Sequence, residues 1–193
     1  PHCCLQTPPA MVMPTDLPRL SIVVVSQDDR RFFSVVHELK RSFAQWPHQL
    51  IRVKDARSMY DGYSHGYAQS SGEVVIFSHD DIQFAVPDFA ARLATAIGDA
   101  DLLGIAGTTR LCAPGLLWSG HPFIHGTVTH CSAAPERYDF SVLSLQGPYI
   151  DGAQGLDGVF IAARREWIER VGFDLNTFPG FHFYVVDFSY GSY

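Results

Sequence analysis

Short apolar runs that alternate with segments of a different period decide what this chain can become. Leu20-Ser21-Ile22-Val23-Val24-Val25 is rich in β-branched residues and ends in the polar Ser26, Gln27, Asp28 and Asp29. That is how a strand buried on both faces looks when it runs into a loop. From Arg30 the period changes. Phe33, Val36, Leu39 and Phe43 recur at helical spacing with charges between them, and Pro47 closes the segment. Leu50 to Val53 reads as a second strand, Met59 to Ser70 as a second helix, and Glu73 to Phe77 as a third strand. Pro87 opens a helix through Ile97, and Leu102 to Ala106 is a further strand. Such alternation implies right-handed crossovers and a mostly parallel sheet covered on both faces. Ligands of such sheets sit beyond the carboxyl ends of the strands. After Gly107 the pattern loosens as far as about His130, with Tyr138 to Leu145 and Val159 to Ala163 as later strands and Arg165 to Val171 as a short helix.

A chain of 193 residues, 47% hydrophobic and 18% charged, supports one globular domain. Its formal charge of -6 and the lack of any Lys/Arg-rich run exclude a phosphate-tracking nucleic-acid face. The longest apolar stretches, such as Val74 to Phe77, fall far short of the roughly 18 to 20 residues of a membrane-spanning helix. Residues 1–18 are proline-rich and lack the layout of a signal peptide, so they read as a disordered or non-native leader to a domain over 19–193. The chain stops just after a segment that begins like a helix and reads as truncated there. Cys3, Cys4, Cys112 and Cys131 show no paired metal spacing and read as free thiols of a reducing, cytoplasmic compartment.

Chemistry concentrates where the third strand ends, at Ser78-His79-Asp80-Asp81. Adjacent carboxylates repel unless something compensates them. An oxygen-seeking divalent cation, Mg2+ or Mn2+, completed by substrate phosphates would do so, and an acidic protein that binds an anionic diphosphate needs such a bridge. The plainer alternative is that Asp80 or Asp81 caps a turn. Between Gly120 and Cys131, three histidines and a cysteine match no closed zinc site, and a flexible loop explains the glycine, proline and aromatics equally well. Trp118 and Phe123 could stack on a sugar face or pack as a lid.

Three blocks carry a resemblance. Gly72 to Asp81 resembles the strand and D-x-D region of family 2-like glycosyltransferases of GT-A fold. Leu156-Asp157-Gly158 through Arg164-Arg165-Glu166, then Gly172-Phe173-Asp174, is similar to the family's acceptor-side segment. Gly180 to Ser189, with its His182 and Asp187, resembles the aromatic His-x-Tyr-Asp-x-Asp-Phe-Ser tail of a bacterial subgroup. They occur in the family's order.

The resemblance implies a Rossmann-like three-layer α/β sandwich with a mostly parallel central sheet. It implies a transferase, of hexosyltransferase type, that moves a sugar from a nucleotide-diphosphate donor to a hydroxyl acceptor such as a glycan or cell-surface polysaccharide. Asp81 takes the place of the metal ligand, with His79 and His182 as further candidates. Ser26, Asp28, Asp55 and Asp80 fall at donor-binding positions, and Gly158 with Trp118 on the acceptor side. Where inverting relatives carry the base, this chain has Val185, which cannot accept a proton, so either Asp187 or Asp157 substitutes or the register shifts. Otherwise the protein is a catalytically silent relative that keeps the nucleotide pocket. A uridine or thymidine diphosphate sugar is the expected donor, and the cytoplasm, or the inner face of the membrane through partners, the expected setting.

Overall fold

Ile22 and Val24 of β1 (Leu20–Val25) point to one face of a sheet and Val23 to the other, and all three are fully buried. A strand of that kind must be covered on both sides. The computed structural model describes residues 14–111, 122–131, 138–142 and 149–191. In it β1 pairs in parallel with β2 (His48–Val53) on one side and β3 (Val74–Ser78) on the other. Beyond β3 lie β9 (Phe160–Arg164) and β4 (Leu102–Gly104), giving a five-stranded sheet of order β2-β1-β3-β9-β4. Only β9 runs against the others, antiparallel to both β3 and β4.

Helices α1 (Asp29–Ser42) and α3 (Phe89–Asp99) close one face, where Val35, Leu39, Leu93 and Ile97 meet Ile22, Val24 and Ile76. The opposite face is covered by α2 (Met59–Gln69), α4 (Arg165–Val171) and α5 (Tyr184–Tyr190), whose Tyr60, Tyr63, Ile168 and Phe188 pack with Val23, Val75 and Phe77. This is the expected three-layer sandwich with its mostly parallel sheet. In α2, a Cβ on Gly66 would overlap the Val23 methyl groups, so that glycine lets the helix lie close on β1. Among the described residues no helix is long and apolar enough to cross a membrane.

The single strand expected over Leu102 to Ala106 is two. The chain leaves the first sheet at Gly104 and enters a second as β5 (Ala106–Thr108), between β6 (Ile124–Cys131) and β8 (Gly155–Leu156), with β7 (Tyr138–Val142) outside β6. All pairings in this second sheet are antiparallel. The crossing is tight. Opposite Ala106 sits Gly126 at φ +123°, where a Cβ would stand 2.6 Å from the Ile105 carbonyl oxygen. Strand β6 lies in the stretch whose Gly, Pro and His content gave no period, and β8 is too short to show one.

One buried side chain fixes the segment that follows the carboxylate pair. Glu38 of α1 accepts the backbone N–H of Phe84 at 2.8 Å and the guanidinium of Arg41 at 2.6 Å. The Arg41 contact holds the Glu38 carboxyl below its usual range against the opposing effect of burial, with the Phe84 N–H adding to it. Glu38→Ala would leave the Phe84 N–H without a partner in a buried place, a loss of about 1–3 kcal/mol. Urea denaturation of the variant should show that loss as a lowered midpoint at unchanged slope.

Candidate functional site

Three strands deliver their ends to one edge. Because β1, β2 and β3 are parallel, Ser26, Asp55 and His79 to Asp81 all emerge at the same side of the sheet, and because β9 is antiparallel its preceding loop, 157–159, emerges there too. Backbone bonds weld these ends together: Ser26 N–H donates to Val53 O at 3.0 Å, and His79 N–H to Val159 O at 3.0 Å.

Within that edge the structure gathers several of the expected residues. The Ser26 hydroxyl donates to Asp80 Oδ2 at 2.6 Å. Asp28 caps α1, its Oδ1 accepting from the N–H groups of Arg30 and Arg31 at 2.7 and 3.0 Å. Those backbone bonds, Arg31 first, hold its carboxyl below the usual range. Arg31, which the sequence reading did not single out, projects from the same helical turn. Its Nη1 stands 3.8 Å from Asp80 Oδ1 and 3.6 Å from Asp81 Oδ2. The repulsion within the Asp80-Asp81 pair is thus met in part by a guanidinium. Asp80 is 16% exposed and Asp81 57%, so the first carboxylate is anchored by protein and the second faces solvent. His79 Nδ1 lies 4.0 Å from Asp81 Oδ1.

Beside this group, Arg52 donates to the Ser26 carbonyl at 3.1 Å, pairs with Asp29 at 2.7 Å and lies 4.3 Å from the Phe32 ring centroid. Hydrogen bonds from Arg52 and Lys54 hold Asp29 low. Asp55 stands exposed in the turn between β2 and α2.

The candidates for the base are placed differently. Asp157 sits partly buried on the 157–159 loop, its Oδ1 accepting from Val159 N–H at 2.9 Å, next to the residue whose carbonyl binds His79. Asp187 lies in the first turn of α5 and its Oδ2 accepts the Tyr60 hydroxyl at 2.8 Å. Its hydrogen bond goes to α2 and not to the Asp80-Asp81 pair. Burial, reinforced by Asp187, pushes the Tyr60 phenol far above its ordinary value. Val185 is part of the core that includes Tyr60 and Phe188, so it is packed away from solvent. Gly158 is buried under Tyr184: a side chain there would overlap the Tyr184 hydroxyl, and its carbonyl accepts from Tyr63 at 3.4 Å. Burial pushes the Tyr184 phenol up to about 12. What this loop offers an incoming group is therefore Asp157 rather than Gly158.

His182 stands exposed in the loop before α5, and Trp118 lies outside the described residues. The Arg164-Arg165 pair of the acceptor-side block sits at the opposite edge of the sheet. There Arg164 donates to the Ile97 and Gly98 carbonyls at the end of α3, and Arg165 to the Gly72 and Ser70 carbonyls. They are structural ties.

Among the described residues no three His, Cys, Asp or Glu side chains converge as a metal site. Asp80 and Asp81 bring two carboxylates side by side, oxygen donors short of a full set. That pair suits a hard divalent cation whose remaining positions are filled by phosphate oxygens and water.

A family model described as "Glycosyltransferase like family" matches residues 21–191. No curated protein matches the sequence. Similar solved structures include GalNAc-T7 with UDP, GalNAc and Mn2+, at 13% identity over 92% of this chain and 41% of that one, with a TM-score of 0.57. Others are the mannosyltransferase PcManGT from Pyrobaculum calidifontis in complex with GDP-Man and Mn2+ (13%, 89% and 52%, 0.48) and A197 from STIV (12%, 90% and 78%, 0.46). The chain thus spans 41% and 52% of the first two of these proteins, and at such identities the likeness is one of fold.

The bond between Tyr60 and Asp187 ties α2 to α5 across a buried phenol. Tyr60→Phe should lower stability by about 1–2 kcal/mol, while Asp187→Asn, which keeps an acceptor, should cost less; urea midpoints of the two variants check the order.

Proposed function

The chain belongs to the glycosyltransferase-like family, and from that premise we propose that it moves a sugar from a nucleotide-diphosphate donor to a hydroxyl acceptor. The observation that carries this reading is the cluster at the carboxyl edge, where Asp80 is anchored by Ser26 while Asp81 and Arg31 remain open to solvent. Asp81, with Asp80 and His79, would hold a divalent cation, Mn2+ or Mg2+, and that cation when bound neutralises the charge of the leaving diphosphate. The GalNAc-T7 structure of the same fold contains UDP and Mn2+, which supports this assignment. His182 is a further candidate ligand, but from an exposed loop that the structure leaves unconnected to the carboxylates.

The chain's own groups divide the remaining work. Arg31, now facing both carboxylates, is placed to turn to the diphosphate once a cation compensates them. Ser26, Asp28 and Asp55 border the place for the nucleoside, and a uridine or thymidine diphosphate sugar is the donor we favour. In the transfer, the acceptor oxygen bonds to the anomeric carbon, the bond from that carbon to the diphosphate breaks, and its electron pair leaves with the diphosphate. The acceptor's proton must go to a carboxylate. We assign it to Asp157, which adjoins His79 through Val159, rather than to Asp187, which Tyr60 occupies. A hexosyl group, a glycan acceptor and a cytoplasmic setting complete the reading.

The presence of Val185 in the core favours a second reading, a silent relative that binds nucleotide without transfer. Calorimetric titration of UDP, dTDP, GDP and ADP, with and without Mn2+, separates the readings from a mere scaffold. Saturable binding of UDP or dTDP that requires Mn2+, weakened about tenfold or more by Asp81→Ala, is expected; no binding by any of them in folded protein would leave only the scaffold. If transfer then occurs, Asp157→Asn should lower kcat by about 10²–10⁴-fold with donor affinity unchanged, and the same result from Asp187→Asn instead would move the base there.

A further inference from the structure

Helix α5 touches the chain on both sides of Asp157. Its buried Ser189 accepts the Leu156 N–H at 3.0 Å and donates its own hydroxyl proton to the Val185 carbonyl at 2.7 Å. Its buried Tyr184 sets a phenol against Gly158, so close that a Cβ on Gly158 would overlap it. A second phenol comes from α2: Tyr63 donates to the Gly158 carbonyl at 3.4 Å and lies 3.4 Å from the Tyr184 hydroxyl. The residues before and after Asp157 thus rest on three buried hydroxyls that the chemistry of transfer does not use. Burial raises both phenols and the charge of Asp157 adds to it, so both stay protonated.

The backbone explains why these supports are needed. Strand β8 is the edge of the second sheet, and the Asp157 N–H that follows it turns inward to Ala106 O at 2.9 Å. The Leu156 N–H therefore points off the edge, where a donor must find a partner. Ser189 takes it. Next along the chain, Asp157 Oδ1 accepts the Val159 N–H at 2.9 Å, a turn closed by the side chain itself. The direction of the carboxylate is thus set by a three-residue turn, and that turn is only as firm as its flanks.

The entry to α5 shows that the placement is enforced. Phe183, the residue before Tyr184, has φ +64°, the one positive φ of a non-glycine residue among those described, and its ring is 49% exposed. A bulky side chain in the left-handed region is unfavourable, and burial of this ring does not compensate it. Strain of that kind persists where the surrounding structure imposes it, characteristically beside functional groups. Here the strained residue leads directly into the one whose phenol meets Gly158.

We propose that Tyr184, Tyr63 and Ser189 are positioning residues, which hold the carboxylate of Asp157 in the direction in which it takes the acceptor's proton. The role of Asp157 as base rests on the function proposed above; the fixing of its turn does not. Two measurements on the full chain test this: hydrogen exchange of the Val159 amide by NMR without ligand, and hydrolysis of UDP-glucose and dTDP-glucose with Mn2+. In the hydrolysis water is the acceptor, its oxygen bonds to the anomeric carbon as the diphosphate leaves with the electron pair, and its proton goes to Asp157. In Tyr184→Phe and Ser189→Ala, Val159 should exchange about tenfold faster relative to the β1 amides, and kcat should fall about 10–10²-fold with UDP affinity unchanged. Ile97→Val, which trims the core of the opposite face, should lower stability and move neither quantity. Val159 exchange that merely follows the β1 amides in both variants would overturn the proposal, and so would a kcat that they leave alone while Asp157→Asn lowers it. A loosened Val159 in protein whose kcat is indifferent to Asp157→Asn would sustain the positioning and take the base away from Asp157. Where no form of the protein hydrolyses either donor, the exchange result alone decides for or against.

Discussion

The pairing of β9 against β3 is the constraint on which the site depends. Parallel strands alone would bring Ser26, Asp55 and Asp80 to one edge, but nothing from the second half of the chain would meet them. Running β9 backwards, with Ser78 opposite Phe160, sets the loop before it at that edge and its Arg164 end at the other. Asp157 and His79 thereby both bind Val159, Asp157 accepting its N–H and His79 donating to its carbonyl. The same reversal explains why Arg164 and Arg165 hold loops together at the far side instead of meeting a substrate.

Electrostatics then separates two carboxylates that are adjacent in sequence. Asp80 is drawn inward by the Ser26 hydroxyl, while Asp81 stays in solvent with Arg31 near both. A pair held in that way is asymmetric before any ligand arrives: one carboxylate is fixed in direction and the other is free to turn. Arg31 reaches them because Asp28 caps the helix and sets the orientation of its first turn. A residue expected to touch nucleotide thus also serves as the cap from which the basic side chain is aimed.

Much of this was legible in the sequence where burial on both faces had written a pattern. The runs of β1 and β3 and the helices between them announce the sandwich because a strand covered on both sides must be apolar throughout. Strand β9 was legible as a strand, but nothing in five residues records its direction, which depends on partners far away in the chain. The division at Ile105 was hidden because Leu102 to Ala106 contains no polar side chain, and only the second sheet, built partly from the unpatterned β6 and the two-residue β8, shows where the chain changes course. At the site, carboxylates at a strand end were visible, but Arg31 was not, since one arginine among several on an exposed helix has no mark of its own. The position of Arg31, third after the capping Asp28, was the signal available. Asp187 and Asp157 looked equally eligible, and nothing local in the sequence shows that the Tyr60 hydroxyl is directed at Asp187.

The place of β9 in the sheet also imposes an order on synthesis. As the chain leaves the ribosome, β1, β2 and β3 can join through their helical crossovers, but the free edge of β3 has no partner until residues after the whole second sheet have been made. Strand β4 emerges in the meantime and cannot dock, because the strand that separates it from β3 does not yet exist. The nascent domain therefore passes through a state with an apolar edge exposed, the state in which pairing with another chain competes with folding. Completion of the carboxyl edge and protection of the sheet are then the same late event, the arrival of a five-residue strand.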